Sequence, residues 1–284
     1  MKYILGLITV ILPFFGTGQR LHADFYGGAS NYQGDLQSKV FTFDKAQLAG
    51  GAGLSYDLTN KFILRGAASF AQVQGNDKYN KDGKGVESRN LNFKSNIVEG
   101  HIALEYNLLD LSQHGFTPYM FGGIALYHFN PYTFDGAGYK VFLKPLSTEG
   151  QGLAQYPDRQ PYRLTQFAIP FGGGFKLALS ENLQVGIEFG FRKLFNDYLD
   201  DVSTAYADSA LLLAAKGPQS VALSYRGDEL AGASAAYPLP GAERGNPKHK
   251  DWYYITGLRV SYLLGNGANG GGRKTKTGCP ANIY

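Results

Sequence analysis

The most regular feature of the chain is an alternation, with period two, of large apolar residues with polar or small ones, which on a β-strand places the two sets on opposite faces. Leu183, Val185, Ile187, Phe189 and Phe191 alternate with Gln184, Gly186, Glu188, Gly190 and Arg192. Between Gln47 and Leu58, Leu48, Ala52, Leu54, Tyr56 and Leu58 stand against Gln47, Gly51, Gly53, Ser55 and Asp57. Phe62, Leu64, Ala68 and Phe70 oppose Arg65, Ala67 and Ser69, and Val98, Ile102, Leu104 and Tyr106 oppose Glu99, His101, Ala103 and Glu105. Phe167, Ile169, Phe171, Phe175, Leu177 and Leu179 oppose Gln166, Ala168, Gly172, Gly174 and Lys176. Trp252, Tyr254, Leu258, Val260 and Tyr262 oppose Gly257, Arg259 and Ser261. Segments 23–32 and 119–129 complete the set, the second apolar on both faces, so the pattern leaves its inward side open. Pro170 falls on an inward position and cannot donate to a ladder, which predicts a bulge there.

The connections fall into two classes that alternate along the chain. Residues 57–61 and 180–182 are tight turns and 110–116 is little longer, whereas 33–45, 74–89, 130–163 and 196–250 are long and polar. Strict alternation of short and long connections predicts an all-β, up-and-down antiparallel transmembrane barrel of about eight strands, with short periplasmic turns and long extracellular loops. Both termini then lie on the periplasmic side of a bacterial outer membrane. A soluble barrel of the lipocalin type would carry polar residues outside and apolar filling. Here the placement of charge is reversed. Asp24, Glu99, Glu105 and Glu188 fall inward together with Arg65, Lys176, Arg192 and Arg259, and no charge falls on the outward sets. An eight-stranded barrel has an interior just wide enough for side chains, and unpaired buried charges are costly, so these groups predict a filled, salt-bridged lumen.

The N-terminus adds a compartment. Lys2 precedes an apolar run from Tyr3 to Phe15 broken by Thr9, and Gly16, Thr17 and Gly18 follow, the pattern of an export signal cleaved near Gly18 and Gln19. The predicted organisation is a signal peptide over 1–18, the barrel over 19–265 and a flexible basic periplasmic tail over 266–284. The single cysteine, Cys279, does not follow the cleavage site, so no N-terminal lipid is expected, and no intramolecular disulfide can form. The 38 glycines, 20 tyrosines and 19 phenylalanines suit a twisted, closely packed sheet. A net charge of +4, scattered along the chain, leaves no nucleic-acid footprint.

Candidate chemistry is sparse. His22, His101, His114, His128 and His249 form no nucleophile or zinc pattern. His101, two positions from Glu99 on one face, reads as a lumen hydrogen bond rather than an acid–base pair, and His128 lies near the outer rim. Asp197, Asp200 and Asp201 open the longest loop. Their spacing matches no EF-hand, so a polar rim that contacts neighbouring basic residues or lipopolysaccharide-bound cations, and could meet a partner, is the expectation over a Ca²⁺ site. Segments 136–152 and 205–239 mix apolar and small residues, as either a plug or an interface would. In the tail, Arg273, Lys274, Lys276 and Cys279 suit contact with a periplasmic partner.

Several short motifs then carry a resemblance. They are Asn31, Tyr32, Gly34, Asp35 and Leu36; Arg89 to Phe93; Pro118, Tyr119, Gly122 and Gly123; Leu146 to Gly152; and Pro170 to Lys176. The run Glu188, Arg192, Lys193, Asp197, Tyr198, Asp200, Asp201, Val202 and Ser203 is the most specific; Lys250 to Tyr253 and Gly278, Cys279 and Pro280 close the match. In order and spacing the chain resembles the Bacteroidota outer-membrane barrels that include PorG, a type IX secretion component. The resemblance implies a non-enzymatic structural or anchoring part of that machinery, in contact with periplasmic ring proteins of the PorK and PorN type, needing no cofactor. The competing functions are a small conduit for hydrophobic molecules and a lipid-modifying barrel enzyme.

Overall fold

The computed structural model describes residues 21–39, 42–79, 86–230 and 236–264. The predicted signal peptide and tail, with Arg273, Lys274, Lys276 and Cys279, lie outside the described residues. Among the described residues nine strands form: β1 Leu21–Gln33, β2 Gln47–Asp57, β3 Phe62–Asn76, β4 Asn92–Asn107, β5 Phe116–Phe134, β6 Lys140–Phe142, β7 Thr165–Ala178, β8 Leu183–Leu194 and β9 Trp252–Leu263. All except β6 close a barrel in which each strand pairs antiparallel with its neighbours in sequence, and β1 seals against β9. β6 only lengthens β5 into a hairpin above the rim, through Tyr132↔Phe142 to Phe134↔Lys140. The shortest barrel strand, β2, has 11 residues, and a tilted strand crosses the hydrocarbon core with about 9–11.

The turn end is closed by residues 58–61, 108–115 and 179–182. The middle connection carries a one-turn helix, α1 (Leu111–His114), capped by the Asp110 carboxylate and ended by Gly115 at φ 75°. That φ is left-handed, where a side chain would be strained. At the loop end β3, β4 and β5 run past the segments legible from alternation.

The two faces separate as patterned. Leu54, Leu64, Val98, Ile102, Ile124, Phe189 and Leu258 point outward and are exposed, while Arg65, Glu99, Glu105, Arg192 and Arg259 are buried inside. The inward side of β5 proves to be Thr117, Tyr119, Phe121, Ala125, Tyr127 and Phe129, with Met120, Ile124 and Leu126 outside. Outward aromatics pair near both rims: Phe62 with Tyr106 and Phe116 with Phe175 near the turns, and Phe171 with Phe191 and Trp252 near the loops. Two aromatic girdles flanking an uncharged aliphatic band make an exterior suited to lipid.

Pro170 forms no bulge. β5 and β7 keep one register from Phe116↔Leu177 through Gly122↔Phe171 and resume it at Ala125↔Ala168. The ladder is interrupted, not shifted, because no extra residue enters either strand. Inward glycines make room for large polar side chains: a Cβ on Gly174 would strike the Tyr119 hydroxyl at 2.6 Å, and one on Gly190 would strike the Arg192 guanidinium.

Ile124 pairs with Ile102 midway between the girdles. Ile124→Arg is expected to cost about 2–4 kcal/mol in a bilayer. The urea midpoint of vesicle-embedded protein measures this, and an unchanged midpoint would contradict a lipid-facing position.

Candidate functional site: a charge-sealed lumen under a folded cap

All eight charged residues assigned inward meet in the lumen, in two layers. In the layer nearer the turns, Arg259 donates to Asp24 at 2.9 Å and to Glu105 at 2.6 Å, and Lys176 donates to the other Glu105 oxygen. Arg65 reaches Glu105 at 3.2 Å and forks onto Glu188 at 2.7 and 3.0 Å, where Tyr119 adds a hydroxyl at 2.9 Å. Three carboxylates thus meet three cations. In the layer nearer the loops, Arg192 grips Glu99 through Nε at 3.0 Å and Nη2 at 3.2 Å, with the Tyr253 hydroxyl on the same carboxylate. His101 Nδ1 completes it at 2.8 Å, so its role is to hold Glu99.

The pairs cross the barrel. β3 and β8, which carry Arg65 and Glu188, have three strands between them on either side, as do β4 and β9, which carry Glu105 and Arg259. Side chains from opposite walls therefore touch across the full width. Lumen charges paired this way offset one another, and among the described residues they form no ring of one sign to select ions.

Above the second layer, Tyr127, Phe129, Tyr162 and Tyr198 stack in a column with successive centroids 5.5, 6.1 and 4.9 Å apart. The column leads from the barrel into a folded cap made by the loops. Leu143, Leu146, Leu199, Val202 and Leu223 join the barrel residues Val73, Phe93, Ile97 and Leu194 in one buried cluster. The described parts of the mixed apolar segments 136–152 and 205–239 thus contribute to a cap over the barrel mouth. Two short helices, α2 (Ser209–Lys216) and α3 (Pro218–Ser224), pack there through Leu212 and Leu223.

The cap has its own polar hub, which the sequence reading missed. Glu149 is fully buried and accepts from Ser203 N, Thr204 N, the Thr204 hydroxyl, Tyr198 and Arg244 at 2.6–3.1 Å. Arg244 also donates to the carbonyls of Asp201 at 2.7 Å and Ser224 at 3.1 Å. Arg89 joins the second and fourth long loops, with its fork on Asp77 at 3.0 and 2.6 Å and another bond to the Arg244 carbonyl. The only available clue was the isolation of these charges, such as Glu149 among apolar and small residues.

Asp197, Asp200 and Asp201 are not a rim for partners. They are at most 2% exposed, because the chain turns inward after β8 to close the mouth. Asp201 accepts from Thr148 at 2.5 Å and Tyr162 at 2.7 Å, and Asp197 from Ser203 at 2.8 Å. Asp200 and Asp251 flank the Tyr32 hydroxyl at 2.5 and 3.3 Å. One hydroxyl proton cannot fully serve both, so the arrangement favours protonation of one of the two carboxyls. Burial, then neighbouring carboxylates, pushes Asp200 and Asp251 well above the usual carboxylate range. Burial pushes Asp197 up to about 7, and pushes Asp201 up to about 6 against the pull of Arg244. Among the described residues no group of three or more His, Cys, Asp or Glu is placed to hold a metal ion. His128 faces outward and bonds the Thr165 hydroxyl at 2.8 Å.

Raised values in the folded cap mean that folding takes up protons. Their stabilisation is present below the unfolded carboxylate value and is lost as pH rises through 6 to 7. Hydrogen exchange in residues 195–251, corrected for intrinsic rates, is expected to show more frequent cap opening at pH 8 than at pH 5. Asp197→Asn should flatten the part near pH 7. Opening that is rarer at pH 8 would contradict the assignment.

Residues 1–213 match a family described as a domain of unknown function, DUF6089. The chain belongs to that family. The DUF6089 match runs through β8 and into α2, and stops short of Arg244, Asp251 and Arg259, which complete the cap and the lumen. The comparison with curated proteins gives no match. Among solved structures, the chain is similar to the N-terminal β-barrel domain of Pseudomonas aeruginosa OprF, at 11% identity and TM-score 0.36 over 86% of this chain and 97% of that one. It is similar to the Yersinia pestis attachment invasion locus protein Ail at 9% identity and TM-score 0.40 over 87% and 99%. The Pseudomonas aeruginosa outer membrane protein OprG is similar at 12% identity and TM-score 0.36 over 86% and 94%.

Proposed function

We propose that this protein is a non-enzymatic outer-membrane anchor of the type IX secretion machinery. In this reading its turns and tail face the periplasm, its cap faces outward, and it contacts ring proteins of the PorK and PorN type. The observation that carries the anchoring role is the set of ion pairs crossing the whole lumen beneath a folded cap. A barrel filled this way is a rigid body in the membrane rather than a conduit, and its work falls to the surfaces at its two ends. The secretion assignment rests on the PorG-like motifs, several of which build the cap: Tyr32 and Asp35, Leu146 to Gly152, Asp197 to Ser203, and Asp251.

A pull-down from detergent-solubilised outer membranes, run with and without residues 266–284, tests the role. Ring proteins are expected to co-purify with the full chain and to be depleted by the truncation. Normal cargo secretion after deletion of the gene would overturn the reading. Stepwise conductance in planar bilayers would overturn the sealed anchor in favour of a channel.

A further inference from the structure

Beside the cap, a groove of about 980 Å³ opens between the end of β8 and the last loop, and one side of it is basic. Lys193, Lys248, His249 and Lys250 all line it and are exposed, next to Trp252. Unlike the lumen cations, none of the three lysines has an ion pair among the described residues. Lys250 Nζ donates to the Pro247 carbonyl at 2.7 Å and keeps two further protons free. Two carboxylates also line the groove. That of Asp35 already accepts from the Asn246 amide at 3.0 and 3.2 Å, and Glu243 is exposed.

The depth of this cluster is set by the strands. Lys193 pairs directly with Trp252 across β8 and β9, and both point outward. The Trp252 ring meets Phe171 edge-on at 6.0 Å, within the girdle at the loop end. Lys193 stands one outward position beyond the girdle residue Phe191, and Lys248 to Lys250 precede Trp252 in the chain with only the buried Asp251 between. Unpaired ammonium groups just past an aromatic girdle lie at the level of lipid headgroups, where each contributes about 1 kcal/mol toward an anionic surface. Tyr206 and Tyr225 form a buried wall of the groove, and half-buried Trp252 offers ring surface beside the charges. A free phosphate ion needs neither this width nor these rings.

We propose that this groove binds the phosphorylated sugar headgroup of an outer-leaflet glycolipid, with Lys193, Lys248 and Lys250 on its phosphates and the Trp252 ring beside its sugars. The site rests on the outward orientation of the cap given above. Its test does not, because binding is read on purified protein in neutral detergent micelles.

The probes are bisphosphorylated lipid A, the same lipid dephosphorylated, phosphatidylglycerol and inorganic phosphate. Native mass spectrometry or thermophoresis is expected to show tight binding of the bisphosphorylated form only. Lys193→Gln/Lys248→Gln/Lys250→Gln should weaken it about a hundredfold, while Lys→Arg at the same positions restores it. Retention of the compact, heat-modifiable band on electrophoresis shows that the variants keep the barrel. Equal binding of the dephosphorylated lipid, of phosphatidylglycerol or of inorganic phosphate would overturn the proposal, and so would full affinity in the Gln variant. Orientation fails separately: Lys193→Cys that an impermeant maleimide cannot label on whole cells would refute the outward cap and leave the binding result standing.

Discussion

Glu105→Gln is expected to lower the stability of the barrel by about 3–5 kcal/mol, because it strands cations in a space that water cannot enter. Glu105 is fully buried, and Arg65, Lys176 and Arg259 all donate to its two oxygens. Glutamine keeps the shape and removes the charge on which three cations converge. Asp24 and Glu188 remain, so three positive charges face two negative ones across the barrel. Lys176→Met is the informative partner. Alone it leaves Glu105 held by two arginines and should cost less. Combined with Glu105→Gln it restores charge balance, and the double variant should be more stable than the sum of the single effects implies. Urea unfolding in lipid vesicles measures all three. Strict additivity would show that the layer is not one coupled network.

Glu149→Ala is expected to open the cap while leaving the barrel folded. The side chain satisfies five donors from three parts of the cap, including Arg244, and removing it leaves the guanidinium buried with a carbonyl partner but without its close carboxylate. Losing one member of a buried pair costs about 3–5 kcal/mol, enough to exceed the stability of many loop substructures. Limited proteolysis should then cut within residues 135–164 and 195–251, and the heat-modifiable barrel band should persist. Arg244→Met should act in the same direction, as it leaves Glu149 charged and buried. Loss of the barrel band together with the cap would mean that the two fold as one unit. If the cap opens alone, conductance of the Glu149→Ala protein separates the seals, because the two lumen layers remain in place beneath it.

The strands and the inner charges were legible because a strand in a sheet exposes alternate residues to two different media. Each Leu, Phe or Ile opposed by Gly, Glu or Arg states locally which side meets lipid. For this reason Asp24, Arg65, Glu99, Glu105, Lys176, Glu188, Arg192 and Arg259 could be placed in one lumen from spacing alone. Segment 119–129 withheld that information because Tyr119, Phe121, Tyr127 and Phe129 are largely apolar yet inward, where they meet Lys176, Arg65 and Tyr253. Pro170 misled because a missing donor can be absorbed by an interrupted ladder as well as by a bulge.

The loops were opaque for a different reason. Loop polarity in a sequence does not say whether a carboxylate meets water or a buried arginine. Asp197, Asp200 and Asp201 carry the composition of an exposed rim, and only the fold of the cap around them shows Tyr32, Tyr162, Thr148 and Ser203 as their partners. Glu149 and Arg244 are 95 residues apart, and no periodicity connects them. The sequence by itself therefore determined the barrel, its inside and outside, and the chemical content of its lumen, because β-structure repeats every second residue. The tertiary structure alone decided that the loops close over the mouth, which charges they bury and which lysines they leave unpaired, because those outcomes depend on contacts between segments that share no local pattern.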